Sequence, residues 1–198
     1  MGLTDMLEKF LAWDFVAARV LVWIGGAGLI FAAFMVTVDI IIRDLFDMTL
    51  GGADEVSGYI FAVSTAFAFP YALLHRTNVR IDALYILFPA RIRALLDVVS
   101  LVALAIFVYP LTWWAYLMLS DSIAIGTRSI TPMRTPVAIP QSFWVAGLVL
   151  LSITILLVFL VAARRLARGD LDGVHRVAGA LTLDDSDEDD GPTAGQAG

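Results

Sequence analysis

Four long runs without a charged residue constrain the possible fold of this chain more than any other feature of the sequence. The clearest run extends from Val56 to Leu74; Asp54 and Glu55 precede it, and His75 follows it. The hydrocarbon core of a bilayer is about 30 Å thick, and a helix needs roughly 20 apolar residues to cross it. The run is therefore long enough for one crossing, and the chain repeats this pattern three more times.

The overall composition agrees with a membrane protein. Hydrophobic residues make up 60% of the 198 residues and charged residues only 16%, whereas a soluble domain is about half apolar and about a quarter charged. We therefore predict an all-α, polytopic membrane protein with four transmembrane helices, at about 20–42, 56–74, 94–117 and 142–163. These spans form one membrane domain, 20–168, because no remaining segment is long enough to bury a core of its own.

Three segments flank or join the spans. In residues 1–19, apolar residues recur at helical spacing from Leu3 to Leu11, which predicts an amphipathic helix in the membrane interface. The alternative, that this segment is simply the first part of span 1, stays open. The segment 76–97, divided by Pro89, predicts one or two short surface helices. The acidic tail, 169–198, is predicted to be disordered.

The distribution of basic residues predicts the orientation. With four spans, the N-terminus, the 76–97 segment and the C-terminus lie on one side, and they hold ten of the 13 Lys and Arg residues. Cytoplasmic segments carry an excess of Lys and Arg. Both termini are therefore expected to face the cytoplasm.

The chain offers little chemistry of its own. It has no cysteine and two histidines, neither of them inside a span, which argues against disulfide exchange, iron–sulfur clusters and haem. No nucleophile–base pair, metal-ligand cluster or phosphate loop is visible. We expect no enzyme activity, cofactor or metal, and nothing in the charge pattern indicates nucleic acid. Asp39 and Arg43 stand one turn apart and are expected to form a structural pair.

Several short motifs, in this order, resemble the DctQ-like small membrane subunit of tripartite ATP-independent periplasmic (TRAP) transporters. They are Arg43, then Ala53-Asp54-Glu55 with Tyr59, the basic stretch HRTNVRID at 75–82, Pro89, and RSITP at 128–132 followed by Pro136 and Ile139-Pro140. The resemblance covers about residues 15–165. The chain departs from the family pattern at Val137, where an aromatic residue is common, and at Asp54, where a second Glu is frequent.

The resemblance implies two protein partners, a DctM-like large membrane subunit and a DctP-like periplasmic substrate-binding protein. Membrane lipids are expected to surround the spans, and no nucleic acid is expected as a partner. The large subunit would carry an organic acid, driven by sodium, across the bacterial inner membrane. The small subunit would brace the scaffold of the large one and help to dock the binding protein. The interface residues that we expect on this basis are Arg43, Asp54, Glu55, Tyr59, Arg76, Arg80, Asp82, Ser129 and Pro132.

Two other function classes stay open. A self-sufficient homodimeric exporter would need an acidic residue in the middle of a span, and the nearest one, Asp39, lies near the end of span 1. A four-span enzyme or redox protein is disfavoured because cysteines and intramembrane histidines are missing.

Overall fold

The chain folds into five described helices. The computed structural model describes residues 3–49, 51–75 and 88–179. Its elements are α1 (Leu3–Phe46), α2 (Ala53–Leu74), α3 (Ala90–Ile125), α4 (Ala138–Ala167) and α5 (Leu171–Ala178). The first four are long and apolar enough to cross a membrane, and no strand occurs in the described ranges. The prediction of an all-α protein with four membrane helices is thus confirmed.

All four spanning helices are longer than the sequence predicts, and α1 and α3 exceed their predicted lengths most. The first, α1, has 44 residues and continues without a break through the expected boundary at residue 19, so it is about 66 Å long. An interfacial position for its first part stays a prediction. The third, α3, already begins at Ala90, so the second half of the expected surface segment belongs to it. Residues 76–87 lie outside the described ranges.

The fourth helix, α4, occupies the centre of the bundle. It packs against α1, α2, α3 and α5, whereas α1 packs mainly against α2. The buried face of α4 repeats at helical spacing and is apolar except for Thr154; it includes Leu148, Leu151, Ile155, Val158 and Ala162. Such a stripe fixes which side of a helix faces its protein neighbours.

Glycines permit the closest helix contacts. A Cβ added at Gly147 of α4 would stand 2.8 Å from the Cβ of Ala66 in α2. On the other side of α2, Ser64 donates a hydrogen bond of 2.9 Å to the carbonyl oxygen of Gly25 in α1. Small residues therefore hold α2 between α1 and α4 at a short distance.

The short helix α5 departs from the disordered tail that we predicted. Gly169 has a φ of 76° and turns the chain at the end of α4, and the Asp170 carboxylate then accepts a hydrogen bond of 2.9 Å from the Gly173 amide. This side chain caps α5 at its N-terminus. Val174 of α5 is fully buried against the bundle. Residues 171–178 are thus helical where the prediction had a disordered tail, because they cover an apolar surface. The rest of the predicted tail, 180–198, lies outside the described residues.

Candidate partner-binding surface

The segments 47–49 and 51–52 and the loop 126–137 meet at one end of the bundle, where Met133 lies against Gly52; we call this the hairpin end. The chain leaves α3 at Gly126, whose φ of 69° suits glycine. It then forms a small hairpin in which the Ser129 amide donates to the Thr135 carbonyl at 2.9 Å and the Val137 amide to the Thr127 carbonyl at 3.2 Å. These backbone bonds give residues 127–137, called the hairpin below, a defined shape.

Glu55, one of the predicted interface residues, fastens the hairpin to α2. Its carboxylate accepts hydrogen bonds from the Thr131 hydroxyl of the hairpin and, at 2.9 Å, from the Tyr59 hydroxyl one turn along α2. Glu55 precedes the uncharged run of α2. Hydrogen bonding from Thr131 lowers the pKa of the Glu55 carboxyl, although partial desolvation acts in the opposite direction. Glu55 is therefore an ionised acceptor at neutral pH.

Ser129 supports the same contact from inside the hairpin. Its hydroxyl oxygen lies 2.8 Å from the Thr131 hydroxyl and accepts a hydrogen bond of 3.2 Å from the Thr131 amide. Glu55, Tyr59 and Ser129 therefore hold this chain's own loop in place. Three other predicted residues at this end, Arg43, Asp54 and Pro132, are exposed.

The expected pair between Asp39 and Arg43 is present. Their closest side-chain atoms are 2.6 Å apart, and Asp39 is 3% exposed while Arg43 is 56% exposed. The Thr49 hydroxyl donates a further hydrogen bond of 3.0 Å to the Asp39 carboxylate. Asp39 thus joins α1 to the following loop, and its partner Arg43 stays accessible. This is the structural role that the sequence predicts for the pair.

The remaining predicted residues, Arg76, Arg80 and Asp82, lie outside the described part of the chain.

Sequence reasoning also missed two residues that contribute to the hairpin end. Thr131 was part of a recognised motif, but its contact with Glu55 spans 76 positions and leaves no local signal. Ile130, beside it, is completely exposed at the tip of the hairpin.

Within the described residues, no group of three or more His, Cys, Asp and Glu side chains is arranged to hold a metal ion. The polar network at the hairpin end consists of carboxylates and hydroxyls that are bonded to one another. These bonds hold the two loops of the hairpin end in place. The exposed side chains around the hairpin are thereby kept in fixed positions on the surface.

Four membrane-spanning helices joined to a fixed hairpin define a polytopic α-helical membrane protein. The family profile of tripartite ATP-independent periplasmic transporters, DctQ component, matches residues 32–166. The chain belongs to this family, and it is accordingly a small membrane component of a TRAP transporter and a multi-pass inner-membrane protein. Comparisons with curated proteins and with solved structures gave no match.

Proposed function

We propose that the chain is the non-catalytic small subunit of a sodium-driven TRAP importer for an organic acid, such as a C4-dicarboxylate, sialic acid or a similar carboxylate. The observation that carries this proposal is the family match over residues 32–166, which includes all of α2, α3 and the hairpin. In this role the chain braces the scaffold of a DctM-like large subunit. Both of its termini face the cytoplasm, so the hairpin end faces the periplasm.

The tight contacts within the bundle support a bracing role. Gly25 and Gly147 let α1 and α4 approach the backbone of α2 closely, and close-packed helices resist displacement. A brace must keep its shape while a neighbouring transport domain moves. The exposed face of α1 offers a long apolar surface, and its large side chains include Trp23, Ile30, Phe31 and Phe34.

The hairpin supports a second part of the proposal, a contribution to docking of the DctP-like binding protein. Ile130 is 105% exposed and Arg134 stands near it on a backbone that is already ordered. Such a surface loses little conformational entropy when a partner binds. The exposed residues Arg43, Asp54 and Pro132 extend this surface. Arg76, Arg80 and Asp82 are proposed as contacts with the large subunit at the opposite end.

The exporter alternative gains no support from Asp39. That carboxylate is bonded to Arg43 and Thr49 near the hairpin end. An acid that binds a transported cation would need to exchange these partners in each cycle.

The docking proposal is tested with two matched variants. Ile130→Ser removes the exposed side chain at the hairpin tip, and Ile125→Ser removes another exposed isoleucine at the end of α3. We expect Ile130→Ser to raise the binding-protein concentration needed for half-maximal uptake, with unchanged recovery of the large subunit on the tagged chain. Equal behaviour of the two variants would contradict the docking role.

A further inference from the structure

An apolar groove follows the contact between α3 and α4 and has no part in the function proposed above. The two helices run antiparallel, and the Tyr109 hydroxyl of α3 donates a hydrogen bond of 3.2 Å to the Ser152 carbonyl oxygen of α4. From Tyr109 toward the end opposite the hairpin end, the groove has a volume of about 470 Å³. Its walls include Leu101, Val102, Ala105, Ile106, Leu156 and Phe159.

The groove opens toward the surroundings of the bundle rather than into its core. The exposed fractions of Ile106 and Leu156 are 71% and 48%, and both residues belong to helices that are long and apolar enough to cross a membrane. Between Leu101 and Pro110, α3 rises about 14 Å, and one leaflet contributes about half of the roughly 30 Å hydrocarbon core. The groove therefore matches an acyl chain of a single leaflet in polarity and in length.

Two arginines stand beyond this end of the groove, on the helix faces that line it. Arg91 precedes Tyr109 by 18 residues, or five full turns, so both residues lie on the same face of α3. Arg164 follows Ile153 by 11 residues, which places it about 20° from Ile153 around α4. Ile153 lines the continuation of the groove toward the hairpin end. Both guanidinium groups are thus placed for the headgroup of a lipid whose chain occupies the groove.

The charge along the groove is one-sided. All four basic residues of α3 and α4 lie at this end, and the acid near them, Asp97, is fully buried. Arg165 donates a hydrogen bond of 3.0 Å to the Gly173 carbonyl oxygen, so it is engaged with α5. Arg91 is exposed and Arg164 is half-exposed, and neither forms an ion pair with another described side chain. These two arginines are therefore available to an anionic group from outside the chain.

We propose that this groove binds one anionic phospholipid, with an acyl chain along Ile106 and Leu156 and its phosphate at Arg91 and Arg164. An arginine donates paired hydrogen bonds to phosphate oxygens, and basic pockets between spanning helices bind anionic lipid headgroups. A zwitterionic lipid would offer the same chain without the net negative charge that this end of the groove favours. The site is built from α3 and α4 alone and is independent of the proposed transport role.

Native mass spectrometry of the full-length chain tests the headgroup contact. The purified chain is titrated in detergent with phosphatidylglycerol or phosphatidylethanolamine that carry identical acyl chains. We expect the wild type to bind the first phosphatidylglycerol severalfold more tightly, and the double variant Arg91→Gln, Arg164→Gln to lose this preference. The matched control, Arg128→Gln with Arg134→Gln, removes the same charge at the hairpin end and should retain it. Equal affinity for the two lipids in the wild type, or an unchanged preference in the first double variant, would overturn the proposal.

A pair of α3 variants tests the acyl-chain contact. Ala105→Phe places a ring in the groove, whereas Ala103→Phe places it on an exposed face about 160° away around the helix. Ala105→Phe should lower the affinity for phosphatidylglycerol severalfold, and Ala103→Phe should leave it unchanged. Equal affinities of the two variants would show that the lipid does not enter the groove, and the proposal would then be wrong.

The same titration of the chain bound to the large subunit separates a lipid from a protein occupant. Binding that is retained in the complex and stays sensitive to the same variants supports the lipid site. Loss of binding on assembly would show that the large subunit covers the groove, and would overturn the proposal. Because the bound lipid is detected by its mass, the result does not depend on whether the chain supports uptake.

Discussion

Glu55 shows how a single side chain decides the shape of the hairpin end. Its two oxygens accept from Tyr59 on its own helix and from Thr131 on the hairpin. The contact is a local one at the surface, so its effect on global stability is small. The contact has a larger effect on the position of the hairpin, because the bond between Glu55 and Thr131 ties the turn to α2.

We predict that Glu55→Ala loosens the hairpin without unfolding the bundle. Arg134 is exposed within the hairpin, and local opening makes such a site sensitive to proteolysis. Trypsin should cut after Arg134 severalfold faster in Glu55→Ala than in the wild type, as followed by mass spectrometry. Uptake should also fall more than in Glu188→Ala, a change in the acidic tail. Equal cleavage rates, or equal uptake at matched membrane levels, would contradict this role for Glu55.

We also predict opposite responses from glycines within the spanning helices. An Ala side chain at Gly147 would meet the backbone carbonyl carbon and oxygen of Ala66 at 3.0 Å, whereas at Gly26 no atom lies within 4 Å. Overpacking costs about 1–3 kcal/mol, and both variants gain the same helix propensity. Gly147→Ala should therefore lower the melting temperature in detergent, while Gly26→Ala should leave it equal or higher. A similar loss in both variants would contradict the close contact.

At the scale of elements, the sequence predicted which segments are helical better than it predicted where helices end or meet. Uncharged runs identify spans because the membrane interior excludes charge. They do not identify neighbours, since the lipid-facing and protein-facing sides of α4 are both apolar. The central position of α4 was therefore not predictable. Asp39 and Arg43 were predictable because a helix brings residues four apart together.

The short helix α5 could not be predicted from the sequence, because tertiary contacts rather than local sequence signals stabilise it. Eight residues are too few to form a stable helix alone, and the acidic run that follows dominates the composition of the tail. Burial of Val174 against α3 and α4 supplies the missing stabilisation.

A pair of truncations separates α5 from the tail beyond it. A chain that ends at residue 179 retains α5 and lacks the acidic run, so its melting temperature should match that of the full-length protein. A chain that ends at residue 169 exposes the apolar surface that Val174 covers, and loss of two buried methyl groups alone costs about 1.5 kcal/mol. It should therefore melt at a lower temperature. Equal melting of the two truncated chains would contradict the packing of α5.

At the scale of the whole molecule, the orientation in the membrane is open to a direct test. The chain has no cysteine, so a maleimide that reacts with this protein labels only the single cysteine that has been introduced. We predict that Ile130→Cys reacts with a membrane-impermeant maleimide in cells with a permeabilised outer membrane. Arg168→Cys, at the end of α4, should react only after the inner membrane is opened. The reverse pattern would place the hairpin in the cytoplasm and contradict the docking proposal.

The central claim is that this chain works as the brace of a larger transporter. The most direct measurement reconstitutes the large membrane subunit in liposomes with and without this chain, together with the binding protein, the organic acid and a sodium gradient. We predict that the two membrane proteins co-purify and that uptake requires both. Uptake by the large subunit alone at the same rate would contradict the account, as would transport by this chain in the absence of the large subunit.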